Sequence, residues 1–498
     1  MRRELFLHRF LPILFSGLLM FGLPARALWA DDLQEGKAAF AQGNFALAAE
    51  KFQAAAAAVK DDWQPFFWLG AAHLRAGQPD LAEQALREAA KLKPDSPEIH
   101  IDLGNALAAQ GKREEAEREY QEALRLKPDS ADAHYNLGNL YLGLERIDDA
   151  VAQYQAALKS SPGEARIYGN LGVALTRKGQ LKEAIEALRQ AVKLAPQQTS
   201  FHYDLAWALQ QAKQPTQAIA ELKQVTAADP QDFSAFMLLG QLLYQQGKAK
   251  EAAEAFSPAA ALRPEDFAAQ YNLGRAQLRA GQAPAAEAAF RRALELSPND
   301  LKSLQELASL YISQSKWPEA EGMLLRALIA SPGSYPIQTN LALVYGKQGK
   351  VAEAEGTWRT LINQNPGDPR PVQGLADLYF AIGRNDLARD QYLRLLELQP
   401  KNALAHHNLG LIYEQYGELE QALEQFRAAL ADDPRLASAY NNLGVVYEKQ
   451  GKTAEARAAY EKAVALQPDF PEARKNLERL PGGKAPPAES PSSTGSSR

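Results

Sequence analysis

Histidine is scarce in this sequence and cysteine is absent, and the residue spacing does not match known catalytic motifs. The 498 residues include no cysteine, which excludes thiol nucleophiles and cysteine-ligated metal sites. No Gly-x-Ser-x-Gly or His-Glu-x-x-His motif occurs. The recurrent Gly…Gly-Lys pattern, as at Gly104 and Gly111, has six residues between its glycines, whereas a phosphate-binding loop has four. We therefore expect no enzymatic activity, no cofactor and no bound metal.

Seven histidines remain as candidates for metal or acid–base chemistry. Four of them, His100, His134, His202 and His406, are separated by 34 residues or by a multiple of 34. This recurrence favours a packing role, in which the imidazole takes the place of an aromatic side chain. A metal ion shared by His100 and His134 is the alternative, although the sequence offers no further ligands at a metal-binding spacing.

A strict 34-residue period indicates which elements carry these side chains. Proline recurs with this period from Pro94 to Pro468, and alanine and leucine recur in phase with it. One period, residues 437–470, has apolar and small residues at helical spacing in two runs separated by a glycine. Each period therefore predicts a pair of helices. Gly444 of the first helix is expected to allow a close approach to the second helix at Ala456.

The period, with Leu-Gly, Ala, aromatic, Ala and Pro at fixed positions, resembles the tetratricopeptide repeat (TPR) family. The resemblance implies an all-α fold, a right-handed superhelical solenoid of about thirteen stacked helix pairs with a C-terminal capping helix. The first helix of each pair would line a concave groove. The repeats also resemble the TPR portion of the O-linked N-acetylglucosamine transferases, without the catalytic domain of those enzymes.

The two ends of the chain differ in composition from the repeats. Residues 1–27 combine arginines, a short apolar run and an Ala-x-Ala site, which is typical of a cleaved secretory signal peptide. We expect the mature chain to begin at Leu28 or Asp31 and to be exported, either to the periplasm or as a secreted protein. An uncleaved membrane anchor is the alternative, but the apolar run is shorter than the roughly 20 residues of a spanning helix. Residues 481–498, rich in Pro, Gly and Ser, predict a disordered tail.

The repeats fill the sequence between these ends. Residues 28–62 predict a degenerate first repeat, and residues 63–470 predict twelve consecutive repeats. Residues 471–480 predict a capping helix that closes the stack. The net charge is −5, and basic residues are mixed with acidic ones throughout, which argues against a nucleic-acid partner.

Helical periodicity points positions six and nine of each first helix away from the seam between the two helices. Asparagine is frequent at these positions, and its amide both donates and accepts hydrogen bonds, as the backbone of an extended peptide does. We therefore expect a protein or an extended peptide as the partner. The candidate binding residues are Asn105, Tyr135, Asn136, Asn139, Asn170, Tyr203, Trp207, Tyr271, Asn272, Asn340, Asn408 and Asn442.

Acidic side chains interrupt this row of amides, for example at Asp102 and Asp204, and they disfavour anionic peptides. The overall interpretation is an exported, non-catalytic scaffold that binds proteins in its groove, in envelope assembly or exopolysaccharide export. Two alternatives remain, a solenoid that binds glycans through its groove aromatics and an adaptor anchored in a membrane. The sequence does not identify the partner or the oligomeric state.

Overall fold

The structure, a computed structural model, describes residues 25–481. This part of the chain is helical and contains no strand, so the predicted all-α repeat fold is confirmed. The described part of the chain divides into two compact units, and the boundary lies between Lys248 in unit 1 and Ala249 in unit 2. Most of the predicted signal peptide, residues 1–24, and nearly all of the predicted tail, residues 482–498, lie outside the described residues.

Unit 1 contains six helix pairs followed by one further helix. In each pair an odd-numbered first helix packs against the even-numbered second helix that follows it. The helices are α1 Ala25–Ala41, α2 Phe45–Ala58, α3 Trp63–Arg75, α4 Pro79–Leu92, α5 Pro97–Ala109, α6 Arg113–Leu126, α7 Ala131–Gly143, α8 Ile147–Ser160, α9 Ala165–Lys178, α10 Leu181–Leu194, α11 Thr199–Gln211, α12 Pro215–Ala228 and α13 Phe233–Gln245.

Unit 2 begins with α14 and continues with six helix pairs and a final single helix. As in unit 1, each helix also packs against the next one along the chain. The helices are α14 Ala249–Leu262, α15 Phe267–Arg279, α16 Ala283–Leu296, α17 Leu301–Ser313, α18 Trp317–Ala330, α19 Tyr335–Lys347, α20 Val351–Gln364, α21 Pro369–Ala381, α22 Asn385–Leu398, α23 Ala403–Gln415, α24 Leu419–Asp432, α25 Ala437–Lys449, α26 Thr453–Leu466 and α27 Pro471–Arg479.

A glycine on the first helix makes room for a large side chain of the second helix. A Cβ atom added to Gly444 would lie 2.6 Å from Cε1 of Tyr460, and Tyr460 is fully buried. Gly104 and Gly138 accommodate Tyr120 and Tyr154 in the same way. The glycine was correctly assigned to the seam, but the group that it accommodates is an aromatic ring and not the small side chain of the second helix.

The turn between the two helices of a pair requires a residue with positive φ. Gly451, with φ of 76°, follows α25, and the N–H of the next residue, Lys452, donates to the Tyr447 carbonyl at 2.9 Å. Three repeats place a residue other than glycine at this position. Their φ angles are 58° at Glu145, 57° at Lys213 and 56° at Ser315. Each of these residues carries a backbone strain of about 1 kcal/mol or more.

The recurring histidines join three segments of the fold. The His100 ring lies 2.7 Å from a carboxylate oxygen of Glu119 and 3.0 Å from the carbonyl oxygen of Pro94. The His134 ring makes the equivalent contacts, at 2.7 Å to the Gln153 side chain and at 3.0 Å to the carbonyl of the repeat proline. Both nitrogens of each ring are therefore used to tie the first helix to the second helix and to the preceding loop. Among the described residues, no group of three or more His, Asp or Glu side chains is placed to hold a metal ion.

The last helix covers the end of the final pair. Ala473 and Leu477 of α27 are buried, and the Asn476 amide donates to Asn441 on α25 at 3.0 Å. At the other end of the described chain, α1 begins at Ala25, so the predicted cleavage site lies within its first turn. None of the helices in residues 25–481 is both long enough and apolar enough to cross a membrane.

Candidate peptide-binding face

The first helices of unit 1 lie directly against one another, with α5 contacting α7, α7 contacting α9, and α9 contacting α11. We call the side of these helices that carries positions six and nine the first-helix face. All of the candidate residues lie on first helices, and most of them are half-buried. Trp207 differs from the others because 44% of its surface is exposed. Two pockets on this face gather several of the candidates.

The first pocket has a volume of about 330 Å³ and lies between α5, α6 and α7. Its lining includes three predicted residues, Asn105 on α5 and Asn136 and Asn139 on α7. Arg113 and Tyr120 of the second helix α6 complete it. We call it the amide pocket. It presents side-chain amides and a guanidinium group to a ligand, which are groups that hydrogen-bond to peptide carbonyls.

The fold itself uses part of the hydrogen-bonding capacity of these amides. The Tyr120 hydroxyl donates to Asn105 Oδ1 at 2.8 Å. Asn139 Oδ1 accepts two hydrogen bonds at 2.7 Å, from the Tyr154 hydroxyl and from Asn170 Nδ2. Asn105 and Asn139 thus hold the tyrosines of the second helices in place, and they have less capacity left for a ligand than the sequence alone suggested.

Asn136 is the predicted amide of this pocket that makes no hydrogen bond within the described part of the fold. It is half-buried in the amide pocket, and its side chain makes no hydrogen bond to any other residue in the described range. The Nδ2 group of Asn139 also keeps its donors, because only the oxygen of that amide is engaged by the described residues. A ligand in the pocket therefore meets a complete amide from Asn136 and a donor from Asn139.

The second pocket, of about 300 Å³, lies between α9 and α11. Tyr203 and Trp207, both predicted, line it together with Asp204. We call it the Trp207 pocket. Val173, Thr176 and Arg177 of α9 form the opposite wall.

Burial raises the pKa of two acidic residues on the first-helix face, Asp204 and Asp102. It raises the pKa of Asp204 to about 6 from an ordinary value of 3.8. Burial also raises the pKa of Asp102 to about 6, against the opposing effect of the hydrogen bond that Asn105 donates to it at 3.4 Å. Both groups are mostly ionised at neutral pH, so the face carries carboxylates that are only partly hydrated.

The candidate residues of unit 2 are not all equivalent. Asn408 donates to the Tyr392 hydroxyl at 2.9 Å, and Asn442 lies 3.0 Å from His407 Nε2, so both serve contacts within the fold. Tyr271 stacks on Phe267, with ring centroids 5.8 Å apart. The two remaining candidates are half-buried on α15 and α19, namely Asn272 and Asn340.

The predicted residues do not include the parts of the pocket walls that come from the second helix α6 and from the last turn of α9. Tyr120 belongs to a second helix and is buried, yet its hydroxyl reaches Asn105 at the pocket. The signal for it was present, since an aromatic side chain stands sixteen residues after the seam glycine in several repeats. Thr176 and Arg177 occupy positions twelve and thirteen of α9, the last turn of that helix.

Comparison with protein families gives matches over most of the chain. Two of the matching family models are described as tetratricopeptide repeat, and each matches three segments of the chain. The first matches residues 33–97, 135–199 and 242–300. The second matches residues 73–122, 175–242 and 278–341. A third tetratricopeptide repeat model matches residues 437–470, and a TPR repeat model matches residues 104–145, 376–417 and 415–451. Together the matches span well over half of the chain. No curated protein matches it significantly.

Several solved structures are similar to parts of the chain. YrrB, described as a TPR protein with an unusual peptide-binding site, is 24% identical over 38% of this chain and 96% of its own, with a TM-score of 0.35. PilF of Pseudomonas aeruginosa is 23% identical over 43% of this chain and 97% of its own, with a TM-score of 0.37. MamA of Desulfovibrio magneticus RS-1 is 26% identical over 34% of this chain and 96% of its own, with a TM-score of 0.32.

Proposed function

The chain belongs to the tetratricopeptide repeat family, and from this premise we propose that it is a non-catalytic scaffold that binds a protein partner on its first-helix face. The partner presents an extended peptide segment, which runs across neighbouring first helices of unit 1. The amide pocket and the Trp207 pocket receive parts of this segment. Amides hydrogen-bond to its backbone, and the aromatic residues contact its side chains.

The observation that supports this proposal is the unused hydrogen-bonding capacity of the Asn136 side chain in the amide pocket. The Asn136 amide is half-buried, reachable by solvent and without a hydrogen bond to another described residue, so a peptide can pair with it without breaking a contact of the fold. Its neighbours Asn105 and Asn139 hold their own amides through tyrosine hydroxyl groups. The pocket is thus built from ordered groups around one amide that is available to a peptide.

The charges of the face restrict the partner. Asp102 and Asp204 are half-buried carboxyl groups on the first-helix face, and both are mostly ionised at neutral pH. An acidic peptide segment would bring like charges together where water screens them poorly. A neutral or basic segment is therefore the favoured ligand of this face.

The proposal includes export of the chain to the periplasm or the outside of the cell, where it serves envelope assembly or exopolysaccharide export. Its support is the arginine-rich start, the short apolar run and the Ala-x-Ala site within residues 1–27. Mass spectrometry of the exported protein is expected to find an N-terminus at Leu28 or Asp31. An intact Met1 would instead indicate a membrane anchor.

Peptide selection tests the binding function. The full chain is screened against a phage library of random heptapeptides, and we expect it to select peptides that share a sequence pattern. The selected peptides are then measured against Asn136→Ala and against Gln155→Ala, which removes an exposed amide from the second helix α8.

Loss of the hydrogen bonds between Asn136 and the peptide is expected to weaken binding about fivefold to tenfold, which corresponds to about 1 kcal/mol. Gln155→Ala is expected to leave the affinity unchanged. Equal affinities of the two variants would move the binding site away from the amide pocket. Selection of no peptide, together with binding to an array of oligosaccharides, would contradict the proposed function and favour the glycan-binding alternative.

A further inference from the structure

The Trp207 pocket combines an exposed aromatic ring with a partly buried carboxyl group in a small volume. Trp207 is 44% exposed, whereas Leu205 and Ala208 on the same helix are buried in the core. Tyr203, one turn before Trp207, forms part of the same wall. A volume of about 300 Å³ is at the lower end of ligand sites and suits one side chain better than a whole cofactor.

The carboxyl group of Asp204 makes no ion pair with a described residue, although Arg177 lines the same pocket. Burial raises the pKa of Asp204 to about 6. Arg177 is exposed on the opposite wall. The other group that faces Asp204 is Tyr203, whose pKa is raised by burial and by the charges of Asp232 and Asp204.

A carboxylate in such a position is stabilised by a cation that enters from outside. A guanidinium or ammonium group would donate charge-assisted hydrogen bonds to Asp204. The same group could lie over the indole of Trp207, where the negative face of the ring attracts a cation. An apolar side chain would instead cover the carboxylate without pairing it, which costs free energy.

We propose that the Trp207 pocket is a specificity site that binds one lysine or arginine side chain of the partner, held between the Asp204 carboxylate and the Trp207 ring. This inference rests on the proposed function, because it assigns the pocket a defined part of the bound peptide. It narrows the partner from any extended segment to one with a basic residue at a fixed place. The amide pocket, two first helices earlier, binds backbone and does not require that residue.

Titration with small probes tests the pocket without any peptide. The indole N–H signal of Trp207 in the ¹⁵N spectrum of the full chain is assigned by its loss in Trp207→Phe. n-Butylguanidinium is then added, and n-butylurea, which has a similar shape but no charge, is the matched probe. The same titrations are made with Asp204→Asn.

The guanidinium probe is expected to shift the Trp207 signal and to saturate, with affinity at least about tenfold above that of the urea probe. Asp204→Asn is expected to remove this preference, so that both probes bind equally weakly. Equal binding of the two probes to the unaltered chain would overturn the proposal, and so would a cation preference that survives in Asp204→Asn. Because Asn replaces Asp at a half-buried position with nearly the same shape, we expect the fold to persist, and unchanged backbone signals check this.

The peptides selected against the full chain separate this inference from the proposed function. A basic residue at one fixed position, lost from the selection when Asp204→Asn is used, is the expected result. The selected peptides could instead lose affinity for Asn136→Ala and yet share no basic residue at a fixed position. That result would overturn the specificity site and leave the scaffold function intact. Conversely, a cation-selective pocket in a chain that selects no peptide would contradict only the scaffold function.

Discussion

Replacement of Gly444 by leucine tests how the helix pairs are packed. The Cβ atom of any replacement would lie 2.6 Å from Cε1, 2.8 Å from Cδ1 and 3.0 Å from Cζ of Tyr460. The ring cannot move aside freely, because Tyr460 is fully buried and its hydroxyl donates to Glu448 at 3.0 Å. Overpacking of this kind costs about 1–3 kcal/mol or more. The helix propensity gained by removing a glycine offsets up to about 1 kcal/mol of that cost.

Gly356 provides the matched control. It lies inside the second helix α20, is exposed, and has no atom within 4 Å of the position of an added Cβ. Gly356→Leu therefore gains the same propensity without a clash and is expected to stabilise its helix by up to about 1 kcal/mol. The propensity gain is common to both variants, so their free energies of local unfolding should differ by the overpacking cost alone, about 1–3 kcal/mol.

Native-state hydrogen exchange is the appropriate assay, because repeat proteins open locally and not always as one unit. Gly444→Leu is expected to speed exchange in α25, α26 and the adjacent helices α24 and α27, and to leave unit 1 unchanged. Similar exchange in the Gly444 and Gly356 variants would refute the contact between the glycine and the tyrosine ring as the basis of the packing.

Three further predictions concern the turn, the acidic face and the amides. Lys213→Gly should stabilise its repeat by about 1 kcal/mol, since it relieves a φ of 57°, whereas Ala212→Gly, at a φ of −76°, should not; thermal unfolding compares them. Because the pKa of Asp204 is raised to about 6 in the folded chain from 3.8, wild-type stability should fall as the pH rises from about 4 through about 6. Asp204→Asn should thus be the more stable protein at pH 8, by at most about 3 kcal/mol, and lose this advantage near pH 4, as paired melting curves at the two pH values would reveal. Asn139→Ala should lower the melting temperature, because it leaves the buried Tyr154 hydroxyl unpaired, while Asn136→Ala should not; equal melting temperatures would contradict the hydrogen-bond assignment.

The repeat period made the fold predictable, because each helix pair repeats the same seam, turn and stop signals. The turn glycine was recognisable for this reason, and Gly451 adopts the left-handed conformation that such a helix end requires. The partner of the seam glycine was not recognisable, since spacing along the sequence indicates which residues share a face and does not indicate which of them touch. Only the structure distinguishes Tyr460 from Ala456 as the group opposite Gly444.

The helix face that carries the candidate residues was predictable, and the hydrogen bonding and charge of those residues were less so. Positions six and nine were identified from helical geometry, and residues such as Asn136 and Trp207 do line pockets. Which amides remain available depends on side chains that reach across from the second helix, as Tyr154 does to Asn139. The charge state of Asp204 likewise depends on burial by a neighbouring repeat, which no single repeat sequence contains.

Site-specific photo-crosslinking in the producing cells tests the central claim most directly. A benzophenone amino acid replaces Arg177, exposed on the first-helix face, or Leu194, exposed at the end of the second helix α10. We expect a protein partner to be captured from position 177 and not from position 194, and the crosslinked segment to be extended and neutral or basic. Capture from position 194 alone, or of an acidic segment at position 177, would contradict binding on the first-helix face.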